Sequence, residues 1–187
     1  NPSGENVPQW HGYCHGWSSS AIMDPEPTSS VSYLGRSFDV GDQKGLLAAR
    51  HSADVANIYG RRFRGAEHDD INDIRPEELW TILRRYLGEQ RVPLVVDFEP
   101  GEQVWNYPVF KYRVEYEIEN DVCVGKMTLW YAGGAIEPNF VGLKEKRAEF
   151  AFSIDAPGGL VEYGSGEWLG ENQEYHPDFA WSPYVVR

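Results

Sequence analysis

The stretch Phe110-Lys-Tyr-Arg-Val-Glu-Tyr-Glu-Ile-Glu119 alternates apolar or aromatic side chains with charged ones. Alternate side chains of a β-strand point to the same face, so this pattern predicts a long strand with one buried face and one exposed face. Asn120 and Asp121 come next and are typical of a hairpin turn. The stretch from Val122 to Tyr131 is therefore predicted to be the returning strand of an antiparallel hairpin.

Two shorter stretches predict further strands. Leu94 to Phe98 is a short apolar run that carries an acidic residue, Asp97. The second stretch alternates Ala148, Phe150, Phe152 and Ile154 with other residues. Both patterns fit partly or fully buried strands.

Three helices are predicted ahead of these strands. The first begins near Cys14, continues through small residues and stops at Asp24-Pro25, because proline cannot continue a helix. The second is expected to begin at Asp42, a good N-cap residue. It is expected to carry the apolar residues Leu46, Leu47, Val55 and Ile58. The third spans Pro76 to Leu87, with proline in the first position and Gly88 just beyond its end.

The order of these elements predicts the fold class. Helices come first and antiparallel strands follow, which is typical of an α+β fold with N-terminal helices packed on a mainly antiparallel sheet. The 187 residues fit one domain, and there is no internal repeat or linker-like tract. We therefore expect a single domain over residues 1–187.

Composition excludes some classes of function. The formal charge is −12, which repels phosphate backbones and anionic lipids, and no stretch approaches the ~20 apolar residues of a membrane span. We therefore expect neither nucleic acid nor membrane binding. Two cysteines do not make a disulfide framework, so both are interpreted as thiols. A secreted or cell-envelope location is expected, with the cytoplasm left open.

Cys14 lies in the motif W-H-G-Y-C-H-G-W, Trp10 to Trp17. A helix N-terminus stabilises a thiolate by pointing unpaired N–H groups at the sulfur, and Cys14 is expected there. Trp10 and Trp17 are the candidate substrate-binding walls that would exclude water. The backbone N–H of Cys14 and the side-chain amide of Gln9 are the candidate oxyanion donors. Cys123, in an apolar alternating strand, is interpreted as a structural thiol.

A catalytic thiol needs a base, and His176 is the candidate. It lies in Y-H-P-D-F-A-W, far from Cys14 in sequence, as cysteine–histidine pairs commonly are. His15 follows the nucleophile directly and points about 100° away from it on a helix. His51 and His68 are expected to be solvated surface residues.

Two acidic residues are candidates for the residue that would orient His176. Asp97 ends a rigid strand, whereas Asp178 is two residues beyond the histidine. The sequence does not choose between them. The structural alternative for either acid is a buried cap of a turn.

Metal sites are weakly indicated. His11, Cys14 and His15 lie within about one helical turn, but no second ligand cluster with zinc-finger spacing exists. The acidic stretch from Glu67 to Asp73 lacks the spacing of an EF-hand loop. No metal site and no cofactor are expected, with calcium as the one ion left open.

Several of these motifs resemble the transglutaminase elicitor family, the oomycete cell-wall transglutaminases and their bacterial relatives. V-W-N-Y-P-V-F-K-Y-R-V-E-Y-E, Val104 to Glu117, is similar to the family's surface elicitor peptide, which opens V-W-N-x-P-V. W-x-G-x-C-H-x-W is similar to the segment that carries the family's active-site cysteine. The strand L-V-V-D-F-E-P-G-E-Q and the late H-P-D-F-x-W also resemble family features. The resemblance runs from about Trp10 to Trp181.

The resemblance implies a papain-like cysteine-enzyme arrangement with Cys14 as nucleophile. It also implies protein-glutamine γ-glutamyltransferase activity, with proteins or peptides bearing glutamine and lysine as substrates. The chain has no N-x-S/T sequon and no spare cysteine pair, which favours a bacterial-type catalytic core. Two alternatives stay open: a thiol hydrolase, either peptidase or amidase, and a non-enzymatic, aromatic-rich binding module.

Overall fold

The computed structural model describes residues 13–61, 73–98 and 103–184. Within them, α-helices α1 to α3 span Cys14–Met23, Val40–Arg50 and Pro76–Leu83. Strands β1 to β9 span Val31–Tyr33, Arg36–Phe38, Val55–Gly60, Leu94–Asp97, Asn106–Glu119, Val122–Ala132, Glu145–Asp155, Glu167–Trp168 and Phe179–Tyr184. A π-helical turn, Arg84–Gln90, continues α3, and short 3-10 turns span His51–Ala53, Pro157–Gly159 and Gly170–Gln173. In this described part of the chain, none of the helices is long and apolar enough to span a bilayer.

Seven of the strands form one sheet in the order β3-β9-β4-β5-β6-β7-β8. All neighbouring pairs in it are antiparallel. Strands β1 and β2 form a separate two-stranded hairpin. The predicted α+β fold with a mainly antiparallel sheet is confirmed.

The β5–β6 hairpin is the longest pairing and follows the predicted pattern. Asn120 and Asp121 have positive φ angles of 51° and 63°, as both central residues of a type I′ hairpin turn require. Strand β5 begins at Asn106, earlier than predicted, and its register shifts between Val109 and Lys111. This bulge interrupts the alternation, which explains why the regular sequence pattern starts only at Phe110.

The two faces of the sheet are covered by different helices. One face packs against α3 and forms the main core, which includes Leu79, Leu83, Met127, Leu129 and Phe152. On the other face a smaller cluster of Val95, Phe179 and Trp181 packs against Ile22 of α1 and Val104. The N-terminal helix α1 therefore lies over the strands β4, β5 and β9.

Helix α2 differs from the prediction at both ends. Its N-cap is Asp39, whose side chain accepts the Asp42 N–H at 2.8 Å while Asp42 returns a bond to the Asp39 N–H. Asp42 is therefore the third residue of a capping box rather than the cap. The helix ends at Arg50, so Val55 and Ile58 lie in β3. This segment is a strand because it pairs with β9 at the C-terminal end of the described chain. The local sequence does not contain β9, so it does not predict the pairing.

The third helix also ends differently from the prediction. Its α-helical part stops at Leu83, and the π-helical turn carries the chain past Gly88 to Arg91, which adopts the left-handed conformation with φ 57°. Gly88 has a packing role instead, because a Cβ there would lie 3.2 Å from the Tyr112 hydroxyl. The predicted start at Pro76 is confirmed.

Gly16 sets the distance between α1 and α2. A Cβ at this position would lie 2.2 Å from the Ala48 carbonyl oxygen, a backbone atom that cannot rotate away. We expect Gly16→Ala to lower the free energy of unfolding by about 3 kcal/mol, because α1 must shift. Gly45→Ala in α2 is the matched control. Its Cβ would contact nothing within 4 Å, so it should stabilise the protein by up to about 1 kcal/mol.

Urea unfolding of both variants measures these effects. Equal unfolding midpoints for Gly16→Ala and the wild type would show that α1 is not held against α2 in this way.

Candidate functional site

Cys14 is the first residue of α1 and is partly buried. The side-chain amide of Asn106, the first residue of β5, donates to its Sγ with Nδ2 at 3.1 Å. The same sulfur lies 3.8 Å from the carbonyl oxygen of Val104. The thiol therefore lies at a helix N-terminus with a directed amide donor beside it, as predicted for its position on the helix.

Two hydrogen bonds fix the orientation of Asn106. The indole Nε1–H of Trp181 donates to Asn106 Oδ1 at 2.8 Å, and the Ser18 hydroxyl donates to the Asn106 backbone carbonyl at 2.8 Å. Because an indole N–H can only donate, the oxygen of the amide must face Trp181. The NH₂ group is then left facing Cys14.

Asp97 lies on the same face of the sheet as Asn106. The two residues are direct partners in the β4–β5 pairing, and Asp97 is only 1% exposed. Its Oδ1 accepts the backbone N–H of Trp105 at 3.2 Å. The carboxylate thus supports the start of β5, the segment that presents Asn106 to the sulfur.

The predicted wall residues are only partly described. Trp17 lies one turn after Cys14 on α1 and is partly buried. Trp10 and Gln9 lie outside the described residues, as do His11, His68 and most of the acidic stretch from 67 to 73.

His176 does not lie beside Cys14. Its Nδ1 is 2.9 Å from the Asn172 carbonyl oxygen, its Nε2 is 3.2 Å from Asp73 Oδ2, and its ring stacks on Trp168. Trp168 belongs to the main core on the α3 face, and its Nε1–H donates to the Ile74 carbonyl. The sheet separates this ring from Cys14, so the structure does not show the Cys14–His176 pairing that the sequence predicts.

Asp178 also lies on that side. Its neighbour Phe179 packs with Val95 in the cluster under α1, and successive strand side chains point to opposite faces. Burial alone would lower the pKa of His176, but the hydrogen bond and charge of Asp73, with weaker help from Asp178, raise it above its ordinary value. The direct carboxylate partner of the histidine is therefore Asp73, not either of the two predicted acids.

A known protein family matches the part of the chain that carries the Cys14 site. A family model described as Transglutaminase elicitor matches residues 1–134, which is more than half of the chain and includes Cys14, Asp97 and Asn106. The chain belongs to the transglutaminase elicitor family. No curated protein matches it.

A solved structure shares the fold of this family member. It is the crystal structure of the GP42 transglutaminase from Phytophthora sojae, with a TM-score of 0.77 and 21% sequence identity. The match covers 98% of this chain and 60% of that chain. At this identity the likeness shows the fold, and this chain spans about 60% of the length of its neighbour.

The other described histidines do not bond to Cys14. His15 Nε2 lies 3.0 Å from the Ser52 carbonyl oxygen, which turns its ring toward the segment after α2. His51 is 2% exposed; its Nδ1 contacts the Asp54 carboxylate, and its Nε2 lies 2.7 Å from Asp24 Oδ2. The prediction that His51 is a solvated surface residue is wrong. The reason is that the 3-10 turn after α2 holds the ring between Asp54 and Asp24, the residue that follows α1.

The contacts of His51 predict that the stability of this family member depends on pH. Burial would lower its pKa, but the hydrogen bonds and charges of Asp54 and Asp24 outweigh burial and raise the pKa above its ordinary value. A raised pKa means that the fold favours the protonated form. The stabilisation is therefore complete below the unfolded-state pKa of about 6.5 and is lost as pH rises through the folded-state pKa.

We expect His51→Gln to cost about 2 kcal/mol of unfolding free energy near pH 6 and clearly less near pH 9. Urea unfolding at the two pH values measures both costs. His176→Gln, which removes a histidine whose pKa is raised in the same direction, provides the comparison for a site far from α1. An equal cost of His51→Gln at both pH values would contradict a role for its protonated form.

Cys123 is fully buried in β6, and burial raises the pKa of its thiol. It is therefore unsuited to nucleophilic attack at neutral pH, and the structural interpretation of this residue fits its position. Among the residues that the structure describes, no cluster of three His, Cys, Asp or Glu side chains could hold a metal ion.

Asn106 is a functional candidate that the sequence motifs did not identify. The signal was present, because an amide side chain begins a strand between two aromatic residues in V-W-N-Y-P. Its contact with Cys14 joins residues 92 positions apart, however, and only the packing of α1 on β5 brings them together.

Proposed function

We propose that this chain is a cysteine-dependent acyltransferase that acts as a protein-glutamine γ-glutamyltransferase. It would join glutamine and lysine side chains by isopeptide bonds through a thioester on Cys14. The observation that carries the proposal is the directed hydrogen bond from Asn106 Nδ2 to Cys14 Sγ at the N-terminus of α1. An oriented amide donor beside a thiol at a helix N-terminus suits a sulfur that carries negative charge.

In the proposed reaction Cys14 Sγ attacks the side-chain carboxamide carbon of a glutamine. The carbon–nitrogen bond breaks, and ammonia leaves with the proton that the thiol gives up. The amine of a lysine then attacks the thioester carbon, the carbon–sulfur bond breaks, and the amine's proton returns to the sulfur. In both steps the backbone N–H of Cys14 and the amide of Asn106 would donate to the oxyanion.

Amine transfer requires that water be kept from the thioester. Trp17 and Trp181 flank Cys14 and Asn106 on α1 and β9. Such apolar walls favour the amine over water. The net charge of −12 also favours cationic lysine side chains over anionic partners.

The family relationship supports the same proposal. The matching family model is described as Transglutaminase elicitor, and the neighbour of the same fold is titled a transglutaminase. We extend the proposal to a secreted or cell-envelope location, since an elicitor acts outside the cell that makes it. No cofactor is assigned in the proposed reaction.

The test incubates the protein with a glutamine-containing peptide and a labelled primary amine, with calcium and with a chelator. The expected result is release of ammonia together with incorporation of the amine. Ammonia without incorporation would identify a thiol hydrolase instead. No turnover, together with slow alkylation of Cys14 at neutral pH, would overturn the enzymatic proposal in favour of a binding module.

The same assay tests which histidine carries the proton between Cys14 and the leaving ammonia. His176 lies on the opposite face of the sheet, so the panel of variants includes His176→Ala together with His11→Ala and His15→Ala, the two histidines nearest to Cys14 in sequence. The variant that abolishes the pH dependence of turnover identifies the residue that carries the proton.

A further inference from the structure

An apolar groove runs along the flank of α1. It encloses about 410 Å³ between α1, β5 and the segment that precedes β7, a size typical of small binding sites. Its walls are mainly apolar and include Trp17, Ala21, Pro108, Phe110, Ile136 and Leu143. We call these residues the α1 groove.

The α1 groove is continuous with the Cys14 site. Trp17 comes one helical turn after Cys14, and Pro108 comes two residues after Asn106, before the bulge, on the same face of β5. Two strand residues span about 7 Å. The groove therefore begins about 7 Å from the amide that contacts the sulfur.

The apolar side chains of the groove face solvent. Leu143 is 54% exposed and Ile136 is 40% exposed. Large apolar side chains that line an exposed concavity mark a binding surface more often than isolated ones do. Both residues lie in the segment between β6 and β7, so they can be changed without disturbing the main core.

Two charged side chains that line the groove, Lys44 and Glu26, are already paired. Lys44 Nζ lies 2.6 Å from Glu26 Oε1 and donates to the Phe140 carbonyl at 2.6 Å, and Glu26 also accepts the Gly142 N–H. These bonds leave the ammonium and the carboxylate satisfied. The free recognition surface of the groove is therefore apolar rather than ionic.

We propose that the α1 groove binds an apolar side chain located two residues from the reactive glutamine of the acyl-donor substrate. This inference rests on the proposed transglutaminase function. An extended peptide advances about 3.3 Å per residue, and alternate side chains point the same way. A peptide that places its glutamine at Cys14 thus presents the side chain two positions away at the distance where the groove begins.

The test compares glutamine peptides that carry leucine or alanine two residues from the glutamine, on either side. In the wild type, kcat/KM should favour the leucine peptide of one side by about tenfold or more, the size expected for burying an apolar side chain. Leu143→Asp should reduce this preference about tenfold. Leu160→Asp is the matched control, since Leu160 is 77% exposed and lies outside the groove; it should keep the wild-type preference.

A binding measurement separates this proposal from the proposed activity. Calorimetry with the Cys14→Ala protein should show tighter binding of the leucine peptide, and Leu143→Asp in that background should remove the difference. Such binding without turnover in the native protein would support the groove as a binding site and contradict the proposed transferase activity. Turnover with no leucine preference in rate or binding would contradict the proposed role of the groove and leave the transferase proposal standing. A shift from dimer to monomer in Leu143→Asp, seen by sedimentation, would assign the groove to a second copy of the chain and also overturn the proposal.

Discussion

The Cys14→Ala protein is expected to lose amine incorporation by a factor of about 10³ or more, because no other described thiol can form the acyl intermediate. Its fold should persist. The hydrogen-bond partners of the sulfur among the described residues are Asn106 and Val104, and Cys14 belongs to neither buried cluster of the sheet, so its removal leaves the core intact. Circular dichroism and the unfolding midpoint check the fold, and incorporation of a labelled amine checks the activity.

Cys123→Ala is the matched control for this variant. Cys123 is fully buried in β6, so its removal should cost about 1 kcal/mol of stability and leave the rate of incorporation unchanged at a temperature where the protein is folded. A Cys14→Ala protein that still incorporates the amine at the wild-type rate would exclude the thioester mechanism. Alkylation should likewise abolish amine incorporation in step with modification of Cys14 and not of Cys123.

The β5–β6 hairpin and helix α1 could be predicted because their signals are local. A period-two pattern followed by two turn residues determines the hairpin within about twenty residues of sequence, and the turn at Asn120-Asp121 is seen as predicted. Helix α1 ends at Met23, directly before the predicted stop at Asp24-Pro25. In both cases the residues that determine the element lie inside it or next to it.

The position of β9 could not be predicted because it is set by distant pairing. This strand comes from the C-terminal end of the chain, yet it lies between β3 and β4. Its insertion makes β3 a strand where a continued helix was expected. The insertion of β9 also determines the face of the sheet on which Phe179 and its neighbours lie. A short stretch of sequence around β9 contains neither β3 nor β4, so it does not predict this pairing.

The candidate site was predicted only in part, because some of its residues are positioned by local sequence and others by distant pairing. The local motif placed Cys14 at a helix N-terminus, which the structure shows. The base and its acid were chosen by residue type and motif, and residue type does not reveal the face of the sheet. His176 was expected to meet the sulfur, but it packs on Trp168 and bonds to Asp73, whereas the amide that does reach the sulfur belongs to β5.

Variants of Asn106 measure how much the amide that reaches the sulfur contributes to the reaction. Asn106→Ala removes the donor to Sγ and is expected to lower kcat by about 10²-fold, the usual effect of losing one directed donor in an acyl-transfer site. Asn106→Asp keeps the shape of the side chain but places an acceptor-only carboxylate beside the sulfur. The like charge of a thiolate and a carboxylate should make this variant slower than Asn106→Ala.

Trp181→Phe tests whether the orientation of the amide matters, apart from its presence. The variant keeps an aromatic ring but removes the indole N–H that donates to Asn106 Oδ1, so the amide is free to turn its oxygen toward Cys14. We expect a loss of kcat of about tenfold, smaller than in Asn106→Ala, with little change in KM. A loss that appeared only in the unfolding midpoint would make Trp181 and Asn106 packing residues. The opposite order of rates for Asn106→Asp and Asn106→Ala would mean that the sulfur attacks, and later leaves, without negative charge facing this amide.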